Sequence, residues 1–241
     1  MQALIAPLNE LAEFEELYKN RTKESGMIRV CGCVNSQKTH MMYALGDGLK
    51  YKVIACSSEL KAKQIYEEYH FLDSQTYLYP AKDLLFYQAD LRSKELLRQR
   101  MEVLQALEEE KPMTVVTSFD AFLDSLAPKE VIGERFLHIK NDSALDLGEM
   151  QKRLIELGYD REVQIESFGQ FAIRGGILDV YPLTEELPVR IEMWGDEVDS
   201  IRTFDVETQR SIENLTEISI CPAVEFPQDG ERRVSFLDYF P

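Results

Sequence analysis

Strand-like and helical runs alternate through the first half of these 241 residues and then give way to strands with tight turns. That order predicts an α/β domain on a parallel sheet, with an α+β domain on an antiparallel sheet inserted into it. Three observations carry the prediction. Short apolar runs, MIRVCGCV (27–34), YKVIACSS (51–58), TYLYP (76–80) and MTVVTS (113–118), are separated by segments of helical character. From FLHIK (136–140) onward a single amphipathic helix is followed by strands, through EVDSIRTF (197–204). EISICPAVEF (217–226) then reads as the α/β pattern resuming. The expected boundaries are 1–131 for the first domain, 132–215 for the insertion and 216–241 for the return.

Each element has a local reason. Residues 8–20 read as a short amphipathic helix, and KTHMMYALGDGL after the first strand is helical. The helix after the second strand places Ala62, Ile65, Tyr66 and Tyr69 on one face at i, i+3, i+4, i+7. The longest helix covers 93–110, with Leu97, Met101 and Leu104 inward and Pro112 stopping it. In the second domain Asp146 is the expected N-cap of a helix that turns Leu147, Met150, Leu154 and Leu157 to the core. The chain ends at Pro241 without a terminal tail, as expected for a fragment of something longer.

Composition narrows the function. With 44% hydrophobic residues the chain can bury a core, and its formal net charge is −16. Residues 132–215 hold 9 basic and 18 acidic side chains, so the insertion is strongly acidic. A phosphate-tracking groove needs clustered Lys and Arg, which makes nucleic acid a poor direct partner and a basic protein surface a better one. Cys31, Cys33, Cys56 and Cys221 form no CxxC pair, and the first three sit in or beside apolar runs, where small buried residues are expected. With three histidines, no metal site is expected. No run approaches transmembrane length, and a cytoplasmic, membrane-free protein is the expectation.

The chain is organised around GQFAIRGGILDVYPLTEELPVRIEMWGDEVDS (169–200). Phe171 and Ile173 alternate with Ala172 and Arg174, and Gly175-Gly176 marks a turn. In VRIEMW, Val189, Ile191 and Met193 share one face, so Arg190, Glu192 and Trp194 share the other. Arg and Glu on the wet face of a meander are ordinary solvation. A tryptophan there, the only one in the chain, is not, because a large aromatic beside arginine is the composition of an interface hot spot.

One motif carries potential chemistry. GCVNSQKT (32–39) lies between a predicted strand and helix, where a P-loop belongs. Gly32, Lys38 and Thr39 match the pattern, but Gln37 replaces the glycine that lets backbone amides wrap phosphate. The strand TVVTS ends in Ser118 and supplies no acidic Mg²⁺ ligand, while Asp120 starts a helix. The motif is therefore degenerate and no catalytic residue is expected, although a working nucleotide-binding domain using Lys38 stays an alternative.

Three stretches then carry a resemblance: YPAKDLLFYQADLRSKELLRQRMEVL (79–104), GQFAIRGGILDVYPLTEELPVRIEMWGDEVDSIRTFDVETQRS (169–211) and ICPAVEFP (220–227). They resemble the N-terminal UvrB-homology module of the bacterial transcription-repair coupling factors (Mfd). The resemblance implies a RecA-like first domain with a degenerate P-loop and an inserted domain that docks onto the excision-repair protein UvrA. UvrB keeps an intact P-loop and a long Tyr-rich hairpin after the equivalent of Pro80; here AKDLLFYQADLRS is too short to hold one. Carried over by position, the UvrA-facing residues are Arg174, Arg190 and Trp194, the last a phenylalanine in familiar members. What the resemblance implies for the parent is an ATP- and Mg-dependent translocase that acts on double-stranded DNA and stalled RNA polymerase. Those parts are absent from these residues, which leaves an adaptor without cofactor. The resemblance also implies an intramolecular masking domain, so an autoinhibitory role is a further alternative.

Overall fold

The computed structural model describes residues 5–21, 28–82, 90–224 and 232–240. The chain divides into two compact units, 1–78 with 111–119 and 79–110 with 120–241.

In the first unit, α1 (Ala12–Asn20) and α2 (Asn35–Leu45) precede β1 (Tyr51–Cys56), α3 (Glu59–Leu72), β2 (Thr76–Tyr79) and, further along the chain, β3 (Met113–Ser118). The strands form one sheet in the order β1-β3-β2, with β1 and β3 parallel from Tyr51↔Met113 to Cys56↔Ser118. All of β3 is buried, as a central strand covered on both faces should be. The Ser58 hydroxyl caps α3 by accepting from the Lys61 amide at 3.3 Å. Ala62 of that helix then packs with Cys56 and Val116, and Ile65 and Tyr66 lie partly buried beside them.

The strand expected over 27–34 does not form across its described residues 28–34. Gly32 stands at φ +86°, a left-handed conformation that interrupts an extended run. Ile28, Val30 and Val34 consequently stay exposed. For the same reason Cys31 is exposed and Cys33 half-buried, so the expectation that they are buried is corrected; Cys56 and Cys221 are buried.

The second unit holds α4 (Asp90–Glu108), β4 (Ser125–Leu126), β5 (Leu137–Lys140), α5 (Leu147–Glu156), β6 (Asp160–Arg161) and β7 (Gln170–Arg174). It continues with β8 (Ile177–Tyr181), β9 (Val189–Trp194), β10 (Glu197–Phe204), β11 (Ser211–Leu215), β12 (Glu217–Ile220) and β13 (Val234–Ser235). Six strands form a sheet in the order β11-β10-β9-β8-β7-β6. Every pair is antiparallel except β6–β7 at one edge. The period-two pattern turns Phe171, Leu178, Val180, Val189, Ile191 and Ile201 to one face, where they meet Met150, Leu154 and Leu157 from α5. Asp146 caps that helix as expected, accepting from the Glu149 amide at 2.9 Å. Asp146→Ala should cost about 1 kcal/mol, seen as a lower denaturation midpoint at unchanged slope.

β12 corrects the expected return to the first domain. It pairs antiparallel with β5, from Glu217↔Lys140 to Ile220↔Leu137, so over 217–220 the α/β pattern does not resume. The reason is burial: Ile218 and Ile220 alternate inward beside Leu137 and Ile139, in the same core as the six-stranded sheet and α5. Residues 225–226 of that stretch, and 83–89 of the segment judged too short for a hairpin, lie outside the described residues.

Candidate functional site

The outer face of the six-stranded sheet follows from its register. Pairing Ala172↔Asp179, Asp179↔Arg190 and Arg190↔Arg202 sets one row across β7 to β10. The next row runs Arg174↔Ile177, Ile177↔Glu192 and Glu192↔Ser200. Trp194 follows on β9, opposite Glu197. Two-residue turns close the hairpins on either side, with Gly175 at φ +61° and Gly195 at φ +63°, positions where a side chain would be strained. The Met193 amide donates to the Gly176 carbonyl at 2.8 Å, which puts the first turn beside the end of β9. Arg174 and Trp194 are thus at the same end of the sheet.

Asp179 organises this face. It is 1% exposed, and a carboxylate so buried needs partners. Arg190 donates from Nε to Oδ1 at 2.6 Å and from Nη2 to Oδ2 at 2.9 Å, the bidentate arrangement a guanidinium favours. Arg174 donates from Nη2 to Oδ2 at 2.5 Å. Arg190 also donates to Gln209 Oε1 at 2.8 Å and lies 4.3 Å over the Phe204 ring. The Asp179 hydrogen bond pushes the Arg190 guanidinium pKa above its ordinary value. Glu192 accepts from the Arg202 guanidinium and, at 3.1 Å, from the Ser200 hydroxyl.

Gln209 reaches Arg190 from a strained turn. Its φ of +60° is uncommon for a residue with a side chain. The turn is held by the Gln209 amide on Asp205 O and its Nε2 on Val206 O, each at 2.8 Å, and by Thr208 on Asp205. The FDVETQRS stretch of the sequence is this buttress.

The expected site residues therefore divide. Trp194 is 82% exposed and Arg174 is 44% exposed in its side chain, as the strand period suggested. Arg190 shares their face, but its side chain is only 13% exposed, because Asp179, Gln209 and Phe204 enclose it. The expected single exposed patch of three is thus two exposed residues and an internal support. Sequence reading missed Asp179, although it stands in the ILDVY stretch on the same face; a lone acid between two arginine-bearing strands was the available signal. Gln209 had no such signal, being distant in sequence.

In the GCVNSQKT stretch, Gln37 Oε1 accepts from the Val34 amide at 3.1 Å, so the side chain standing where the P-loop pattern expects glycine caps α2 itself. Thr39 donates to Glu68 at 2.5 Å and Lys38 to Asn35 at 3.3 Å. Among the described residues no three His, Cys, Asp or Glu are placed to hold a metal ion, and among those same residues no helix is long and apolar enough to cross a membrane.

Known proteins match this sequence. Residues 137–226 match the family model described as the UvrB interaction domain, which spans β5 through β12 and holds the whole ion network. The transcription-repair-coupling factor of Bacillus subtilis (strain 168) is 39% identical over 169 residues, 69% of this chain and 14% of the relative. That of Staphylococcus haemolyticus (strain JCSC1435) is 37% identical over 153 residues, 64% of this chain and 13% of the relative. That of Staphylococcus aureus (strain Mu50 / ATCC 700699) is 34% identical over 157 residues, 65% of this chain and 13% of the relative. The chain spans a small part of the length of these curated relatives. Residues 137–226, with the buttressed sheet face they contain, thus match the UvrB interaction domain, and over most of its length the chain is similar to the transcription-repair-coupling factors.

Proposed function

We propose that this chain is a UvrA-recruiting adaptor, and that the outer face of its six-stranded sheet is the docking surface. The observation that carries the reading is Trp194, 82% exposed at the end of a face whose arginines are fixed from beneath by a buried carboxylate. An indole in water favours burial against a partner, and arginines already held in place lose little freedom on binding. Trp194 and Arg174 make contact, while Arg190 acts through Asp179 and Gln209. The docking domain is better bounded by the matched residues 137–226 than by 132–215, since β5 and β12 share its core.

The adaptor carries no catalysis or cofactor of its own and works in the cytoplasm. Its link to stalled RNA polymerase and double-stranded DNA runs through parts of a longer protein outside these residues, as does any ATP- and Mg-driven motor. The first unit is a degenerate P-loop, RecA-like domain. Support comes from Gln37, which occupies the Val34 amide, and from Thr39, whose hydroxyl is committed to Glu68. Titration with a fluorescent ATP analogue and Mg²⁺ should give no saturable binding in the micromolar range; saturable binding lost on Lys38→Ala would overturn this part. The adaptor reading is tested by calorimetric titration of UvrA with the 241-residue chain. Binding is expected, and no heat at micromolar concentrations of both would overturn it.

A further inference from the structure

The ion pairs of the outer face form a ladder of alternating sign across four strands: Arg174 on β7, Asp179 on β8, Arg190 and Glu192 on β9, Arg202 on β10. Arginines stand at both ends, and the five groups sum to +1 within an acidic domain. The central arginine gives three hydrogen bonds within the face, with Nε and Nη2 donating to Asp179 and Nη2 also to Gln209. The end arginines give fewer. Arg174 gives one hydrogen bond to Asp179, and Arg202 gives one to Glu192. Arg202 keeps 27% of its side chain exposed, while its Nε is buried and has no acceptor among the described residues, so any partner meets the exposed end of the guanidinium. It also sits directly opposite Arg190, a like-charge pairing that costs stability unless each is neutralised elsewhere.

We propose that Arg202 is a second docking cation, and that the partner surface presents two carboxylates, one to Arg174 and one to Arg202. This rests on the docking reading above and names the chemistry of the partner. Three strand spacings and a two-residue offset separate the two arginines by roughly 15 Å along the face. One exposed and one half-buried cation set that far apart fix the orientation of a partner as well as its affinity. Two isolated carboxylates within an otherwise basic protein surface fit better than a nucleic-acid backbone, whose unbroken run of phosphates the acidic domain repels along its whole length. Glu192 then acts as the internal counter-ion that holds Arg202 on the face until the partner's acid arrives.

The experiment separates docking from mere sheet support. UvrA binding to the full chain is measured for the parent, Arg174→Gln, Arg202→Gln, the double variant, Glu192→Gln and Trp194→Ala, with folding followed by circular dichroism. Arg202→Gln should weaken binding about tenfold, a modest hot-spot effect, and the double variant should multiply the two single effects, as distant sites do. Glu192→Gln, which removes the same ion pair but leaves the cation, should bind as tightly as the parent or more tightly. If Glu192→Gln weakens binding as much as Arg202→Gln, the pair only supports the sheet and the inference is overturned. If Arg202→Gln binds like the parent while Trp194→Ala is impaired, docking stands and the second cation falls. If every variant binds like the parent, the docking face itself is lost.

Discussion

Replacing Asp179 by alanine is expected to destabilise the antiparallel unit by about 3 kcal/mol or more, the cost of removing one partner of a buried ion pair. Arg190 sets the size of the effect. At 13% exposure its guanidinium cannot recover full hydration, and Gln209 offers it a neutral acceptor alone. Arg174 contributes little to the sum, since at 44% exposure water replaces its lost partner. Chemical denaturation reads the change as a lower midpoint with an unchanged slope. The double variant Asp179→Ala with Arg190→Met should regain part of the loss, because no uncompensated charge then remains enclosed on that face. A single variant within about 0.5 kcal/mol of the parent, the range of ordinary surface substitutions, would mean that Asp179 does not anchor the face.

Trp194→Ala should do the reverse, leaving the fold intact and removing the partner. The indole is 82% exposed at a turn, so its loss should move stability by less than about 0.5 kcal/mol. Binding to UvrA should weaken by about 2 kcal/mol, roughly thirtyfold, the scale of an aromatic hot spot desolvated at the centre of an interface. Trp194→Phe should keep most of the affinity, since the ring remains and only area is lost. The acidic surround should appear mainly as a salt-dependent association rate. Equal affinity of the parent and Trp194→Ala by surface plasmon resonance would place the indole outside the interface.

Local pattern in the sequence determined the helices, most strands and the two faces of the antiparallel sheet. The alternation in QFAIR, ILDVY and VRIEMW has a period of two, and burial of Phe171, Val180 and Ile191 leaves Trp194 no choice of side. Asp146 capped its helix for an equally local reason, a side chain three residues from the amide it accepts. Two things were decided by tertiary contacts. Whether 217–220 joined the parallel sheet depended on the strand it paired with, and it found β5. The exposure of Arg190 depended on Asp179 and on Gln209, the latter 19 residues away in sequence and delivered by a left-handed turn. Strand period tells which face a side chain takes; only the packed neighbours on that face decide whether it meets water or a buried carboxylate.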